Sequence, residues 1–450
     1  MNKTKKADLR LAIISDPHLG FTGHINPNYY GLGQPGDQDK WFEYALRYFS
    51  SRGIDALVIP GDMANACAYG RAGVTSADCA AAEMIRLGKI FRDVFGESET
   101  KLIAIYGNHD NLVQPRERLN GGDGSPWEDA FGEPYTHVFE KTVKGYTFIG
   151  ANWGYEKEAR EAVARAAEGE MGKPVFYIQH GEIKGTTCDT LEGNISSVGI
   201  DNVRDFDNVI AMFGHTHCPI TNERTIWQSE KAGDPKCTVL SCGTFNYADT
   251  VGDLVRGENL MTKHALYLTV SGMEINIERL SFWTDEMLML AKGEKTEQDF
   301  KLCTKSAGQD WHFTLGGERI YDTARRTAEG AAPEFPEGAV AGLSRSDDYA
   351  VIFFPAAIPP ERDGDVLHSY YAEATDGEGR VVSFGQICTE YHVDRSADYF
   401  SPYYQIVLTG LTPNTEYTFR VFARDCFGNM SKNPIIHIGK TLAKKGSRLA

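Results

Sequence analysis

Five apolar runs in this chain stop abruptly at Asp, Asn or His, and no other feature restricts the fold as much. The run Leu11 to Ser15 delivers Asp16 and His18, and Leu57, Val58 and Ile59 lead through Gly61 to Asp62. Leu102 to Tyr106 leads through Gly107 to Asn108, His109 and Asp110. "PVFYIQH" ends on His180, and "VIAMFGHTH" ends on His215 and His217 after Gly214. Short apolar runs of this kind read as buried strands. Between them, "DQDKWFEYALRYFSS", "SADCAAAEMIRLGKIFRDVF" and "EKEAREAVARAAEG" carry apolar residues at helical spacing. Strands alternating with helices predict a layered α/β domain, whose ligands bind in the loops beyond the strand ends. Five such ends can meet in one small volume.

A lone DxH or HxH is weak, because Asp and Asn are ordinary turn residues and a single His after a strand is more often structural. The set as a whole is not weak: five of the twelve histidines fall in these endings. Three Asp or Asn oxygens and four imidazoles, leaving His109 aside, suit two divalent ions such as Mn, Fe or Zn. Two ions roughly 3.5–4 Å apart clamp the attacking and leaving oxygens of a phosphoryl displacement. One carboxylate must bridge them, and Asp62, behind a Gly turn, is the natural choice. His109 can protonate the leaving alkoxide or stabilise the phosphoryl oxygens. Asp110 is expected to orient it.

Taken in order, Asp16-x-His18, Gly61-Asp62, Gly107-Asn108-His109-Asp110, His180 and Gly214-His215-x-His217 resemble the calcineurin-like metallophosphoesterases. The resemblance covers roughly residues 10 to 280. It implies a four-layer α/β/β/α sandwich with a dimetal site at one edge. It places Asp16, His18 and His217 on the first metal, Asn108, His180 and His215 on the second, and Asp62 between them. It further implies in-line attack on phosphorus by a metal-bridging hydroxide. Purple acid phosphatases of this superfamily carry Tyr three residues after the bridging Asp; here Asn65 stands there, so no purple ferric-tyrosinate centre is expected. His180 is the least distinctive ligand, and Cys218, beside His217, is read as a free structural thiol.

The loops set the substrate. Phe21, His24, Asn26, Tyr29, Tyr30, Asn65 and Arg71 are candidate pocket residues, and "NWGYE" and "TFNYAD" offer aromatics for a base or sugar. A small phosphomonoester or phosphodiester, nucleotides included, is the expected substrate. Nuclease action on nucleic-acid ends is the enzymatic alternative, and a non-catalytic metal-binding scaffold the other. A formal charge of −16 opposes an extended nucleic-acid track, and no apolar run is long enough to span a bilayer. Nine scattered cysteines without a CxxC pair suggest reduced thiols. With a basic start that passes straight into the first strand, they suggest a cytoplasmic setting.

The length of 450 residues calls for two domains. The metallophosphoesterase domain is expected over 8–282, a connecting segment over 283–334, and an all-β sandwich over 335–443. Six alternating segments support the sandwich. "VLTGLTPNTEYTFRVFARDCFGNMS" resembles the end of a fibronectin type III domain, with Leu411, Pro413, Thr415 and Tyr417 at one corner. That resemblance implies that Tyr417 bonds back to the backbone, that Phe419 and Val421 point inward, and that Phe353 or Phe354 replaces the usual tryptophan. Fibronectin-like domains would also suit an exported protein, and the partner of this one is not indicated by the sequence.

Overall fold

The computed structural model describes residues 7–20, 37–65, 76–111, 125–183, 185–187, 199–248, 260–282, 304–359, 366–391 and 401–444. These form two units divided between Asp322 and Thr323, apart from Thr221–Arg224, which belongs with the second.

In the first unit, β1 (Leu9–Ile13), β2 (Ala56–Ile59) and β3 (Lys101–Ala104) pair in parallel. A parallel pair needs a crossover, supplied by the helices Asp37–Arg52 and Ser76–Phe95. The second sheet contains β4 (Val138–Val143), β5 (Tyr146–Ala151), β6 (Val175–Ile178), β7 (Val209–Phe213), β8 (Ile226–Trp227) and β9 (Thr238–Ser241), in the order β4-β5-β6-β7-β9-β8. A small ribbon follows, β10 (Tyr247–Ala248) with β11 (Leu260–Met261). The chain then returns to the first sheet through β12 (His264–Ser271), β13 (Glu274–Ser281), β14 (Lys305–Ser306) and β15 (Trp311–Thr314).

The parallel strands read as continuous apolar runs because both their faces are covered. Inner faces of the two sheets share one core, in which Leu11, Ile13, Val58 and Ile103 meet Phe148, Phe176, Ile178 and Met212. Phe148 and Phe176 stack at 4.7 Å. Each large aliphatic or aromatic side chain buried there contributes roughly 1.5–3 kcal/mol. On the outer face of the first sheet, Phe49 of the first helix stacks on Tyr267 at 6.4 Å. On the outer face of the second, Val163 and Ala167 of the helix Arg160–Gly169 pack with Ile149 and Tyr177. The result is the expected α/β/β/α order. Residues 305–314 lie inside the stretch expected as a connector, yet they pair with β13 and extend the first sheet. Their apolar residues are only Ala307, Trp311 and Phe313, too few for the sequence to signal a strand.

The second unit is a sandwich. One sheet holds β16 (Gly342–Arg345), β17 (Tyr349–Pro355) and β20 (Tyr403–Thr409), and the other β18 (Leu367–Thr375), β19 (Val381–Cys388), β21 (Glu416–Asp425) and β22 (Ile435–Lys440). Alternation sends Tyr417, Phe419, Val421 and Ala423 of β21 inward. Of the two candidate phenylalanines, Phe354 is in the core and Phe353 is exposed. The Thr412 backbone N–H donates to the Tyr417 hydroxyl at 2.9 Å, closing the corner. Tyr417→Phe removes that acceptor and is expected to cost about 1–2 kcal/mol. Denaturant unfolding of the sandwich transition measures it, and an unshifted midpoint would show that the corner bond contributes nothing.

Candidate metal centre

The five motif strands end on one edge, and their loops are laced together by backbone hydrogen bonds. His18 N–H donates to Asp62 O at 3.0 Å, and Gly214 N–H donates to His180 O at 3.2 Å. Phe245 N–H donates to Ser15 O at 2.8 Å. Close approach explains the glycines of three motifs. A Cβ on Gly107 would fall on the Asp62 carboxylate and within 2.7 Å of His180 Nε2. One on Gly61 would strike the His180 ring, and one on Gly214 would strike Ser15 and Asp16.

Two groups of side chains result. Asp16, His18, Asp62 and His217 converge within 4.8 Å of one another, as do Asp62, His180 and His215, so Asp62 is common to both. His217 Nε2 lies 3.2 Å from Asp16 Oδ1 and 3.1 Å from His18 Nε2. His180 Nε2 lies 3.3 Å from Asp62 Oδ2 and 2.9 Å from Asn108 Oδ1, which brings Asn108 to the second group. The backbone is strained to achieve this. Asp16, His18, Asp62, His215 and His217 all have φ between 43° and 65°, a left-handed conformation costing about 1–2 kcal/mol for each non-glycine residue.

The donors fit a cation. His180 Nδ1–H donates to Pro60 O at 2.7 Å, and His217 Nδ1–H donates to Tyr247 O at 2.8 Å. A carbonyl can only accept, so both tautomers are fixed and each Nε2 lone pair points at carboxylate or amide oxygen. Acceptors that face acceptors in a buried site need a positive charge between them. Without a metal, protons supply it. Burial works against a charged His180, but the Asp62 carboxylate beside it holds its pKa up to about 10. His217 is likewise raised, by Asp16 against the effect of burial. Burial pushes His18 down to about 3 and, with the neighbouring His180, His215 down to about 4. Burial alone would raise Asp16 and Asp62, yet the imidazoles keep both below the ordinary carboxylate range.

His109 stands at the edge of this centre, half-buried, with its ring 4.8 Å from that of His18. Its backbone N–H donates to Asp62 Oδ1 at 2.9 Å. Its orientation corrects the sequence-based expectation. Nδ1 donates to the Asn65 carbonyl at 3.1 Å, whereas both oxygens of Asp110 are engaged by backbone N–H groups of Met63, Ala64 and Gly107. Asp110 therefore ties the second and third motif loops together rather than steering the imidazole. Burial and the nearby Asp62 charge push its carboxyl up to about 7.

Two features escaped the sequence reading. Asn152 ends β5 as a sixth polar strand end; its Oδ1 accepts from Tyr106 N–H at 2.6 Å and its Nδ2 donates to Thr136 O at 2.6 Å. The run "TFIGA" before it shows the same abrupt stop, so the signal was present. Cys218 is disulfide-bonded rather than a free thiol, a bond that persists in oxidising surroundings. No local pattern such as CxxC marks that pairing. Asn65 lies in the described part; Phe21, His24, Asn26, Tyr29, Tyr30 and Arg71 lie outside it.

Residues 9–219 match the family model described as calcineurin-like phosphoesterase. No curated protein matches the chain. Among solved structures, PhoD is similar at 9% identity over 68% of this chain and 70% of its own, with a TM-score of 0.42. Purple acid phosphatase PPD1 from yellow lupin seeds is similar at 12% identity over 70% of this chain, which spans 56% of that structure, with a TM-score of 0.41. The fibronectin type-III domain of human fibronectin type III domain containing protein 3 is similar at 15% identity over 27% of this chain and 96% of its own, with a TM-score of 0.17. The matched stretch carries every ligand-type side chain of the centre, from Asp16 to His217: residues 9–219 form a calcineurin-like phosphoesterase domain.

Proposed function

We propose that the chain hydrolyses a small phosphoester at this centre with two divalent transition ions, Mn, Fe or Zn, and with His109 as general acid. The observation that carries the reading is the pair of fixed Nε2 lone pairs, on His180 and His217, aimed at the buried Asp62 and Asp16. Asp16, His18 and His217 would hold one ion, Asn108, His180 and His215 the other, with Asp62 shared. When bound, the ions would supply Lewis-acid charge on the phosphoryl oxygens and activate the attacking water. The protein's own part is orientation. The Asn65 carbonyl takes Nδ1–H of His109, so that in the imidazolium form Nε2–H is the proton left to deliver to the departing oxygen.

Hydrolysis of p-nitrophenyl esters after metal stripping and reloading tests the reading; a fully metallated protein inert to every phosphoester offered would sink it. His109→Ala is expected to lower kcat by about 10²–10⁴ while metal content stays at the wild-type level. Equal turnover would remove His109 from the chemistry.

Protonation of the empty site makes a second expectation. Below a pKa of about 10, His180 carries a proton that an incoming ion must displace, and His217 is shifted in the same direction by Asp16. Metal affinity should therefore climb with pH through neutrality and level off near pH 10, with release of at least one proton at pH 7. Calorimetric titration in buffers of different ionisation enthalpy counts them, and a count of zero would contradict the assigned charges.

A further inference from the structure

The ligands that face solvent define where a substrate can land. His18, Asp16, Asp62, His180 and His217 are buried, whereas Asn108, His109 and His215 are only half-buried. Among the described residues, two half-buried aromatics join this rim, Trp153 and Tyr247. They serve opposite halves of the centre. The Trp153 ring lies 5.5 Å from that of His180 and 5.2 Å from that of His215. The Tyr247 ring lies 4.2 Å from that of His217 and 5.5 Å from that of His18. His109 also stands against His18, so the proposed proton donor is on the Tyr247 half.

Trp153 is held there firmly. Its backbone N–H donates to Tyr106 O at 3.2 Å, and the preceding Asn152 is fully buried and bonded on both sides. Gly154 follows with φ of 86°, turning the chain away. A flat ring fixed at a rim and partly open to solvent is a stacking surface.

We infer that Trp153 is the platform for the ester group that stays on phosphorus, so that the preferred substrates are phosphodiesters whose retained group carries a planar ring, aryl or nucleobase. This rests on the phosphoester reading above. The leaving oxygen departs on the His109 side, and a monoester has no second substituent to occupy the Trp153 side. In the step, water oxygen bonds to phosphorus and the bond to the leaving oxygen breaks. The leaving oxygen takes the proton of His109 Nε2, and the proton released by water restores His109. The product is a phosphomonoester bearing the stacked group.

Bis-p-nitrophenyl phosphate and p-nitrophenyl phosphate expel the same leaving group and differ in the retained ring and in charge. Because a Trp153 variant changes only the ring contact, the change in their ratio of kcat/KM between wild type and variant isolates it. The full chain, loaded with manganese, is expected to favour the diester. Trp153→Ala should lower the ratio roughly tenfold, mainly through KM, as loss of one stacking contact does, and Trp153→Phe should recover most of it. Metal content measured on each variant separates this from damage to His180 and His215. Should the alanine variant lose metal, Trp153→Leu keeps bulk against those rings without a flat face and carries the same comparison. A ratio unmoved by either loss of the ring overturns the inference while leaving the phosphoester reading intact. Inertness of the metal-loaded wild type to both esters overturns both. Pairing a nucleoside p-nitrophenyl phosphodiester with its methyl counterpart then distinguishes nucleobase from aryl; a nucleobase that gains nothing over methyl restricts the inference to aryl groups and overturns its nucleotide arm.

Discussion

Two carboxylates buried at the meeting of two sheets govern this molecule. Asp16 and Asp62 are withdrawn from water, and burial of an isolated charge is prohibitive unless it is paired. Everything around them is an answer to that cost. His180 and His217 bring positive charge or a metal-binding lone pair to the carboxylates, with the tautomer chosen by the Pro60 and Tyr247 carbonyls. Backbone N–H groups of His109 and His215 add further donors. The ionisation pattern follows from the same crowding. Burial, reinforced by the neighbouring imidazoles, lowers His18 and His215, while the Asp62 and Asp16 carboxylates raise His180 and His217 against it.

Such convergence needs a scaffold stiff enough to hold unfavourable backbone. Among the described residues, five of the seven non-glycine positions with positive φ are side chains of the centre. Left-handed conformations persist where surrounding structure over-determines them, and here strand ends anchored in a shared core supply that constraint. Glycines at 61, 107 and 214 let neighbouring loops approach to distances that a methyl group would forbid. The gain is a site in which geometry precedes any ligand, so that little reorganisation remains at the moment of reaction.

The sequence was most informative where chemistry and periodicity coincide. Apolar runs interrupted by Asp, Asn or His located the strand ends, and all seven ligand-type residues proposed from them lie together in the structure. It was less informative about who orients whom. Asp110 next to His109 invites a carboxylate–imidazole pair, but adjacency in sequence does not give direction in space: the carboxylate turns back to three amides and a main-chain carbonyl of Asn65 takes its place. A backbone carbonyl has no residue-type signature, so no reading of side chains could have named it. Asn152, by contrast, obeys the strand-end rule, following the apolar run of β5.

In the sandwich, the fibronectin type III resemblance implied that Phe419 and Val421 face inward, and alternation along β21 puts them there, because a strand's period of two leaves only one choice of face. The same period could not choose between Phe353 and Phe354, which are adjacent and of equal hydrophobicity; pairing of β17 with β20 decided for Phe354. What the sequence by itself determined was the layer type, the side-chain types that gather at the centre and the identity of the interrupted strands, since these depend on local periodicity and side-chain chemistry. Only the tertiary structure decided that Asp110 turns to the amides of the second motif loop, that His109 leans on a carbonyl, and that Trp153 and Tyr247 flank opposite halves of the centre. Those are relations between loops far apart in the chain, fixed by how two sheets pack, and no local pattern carries them.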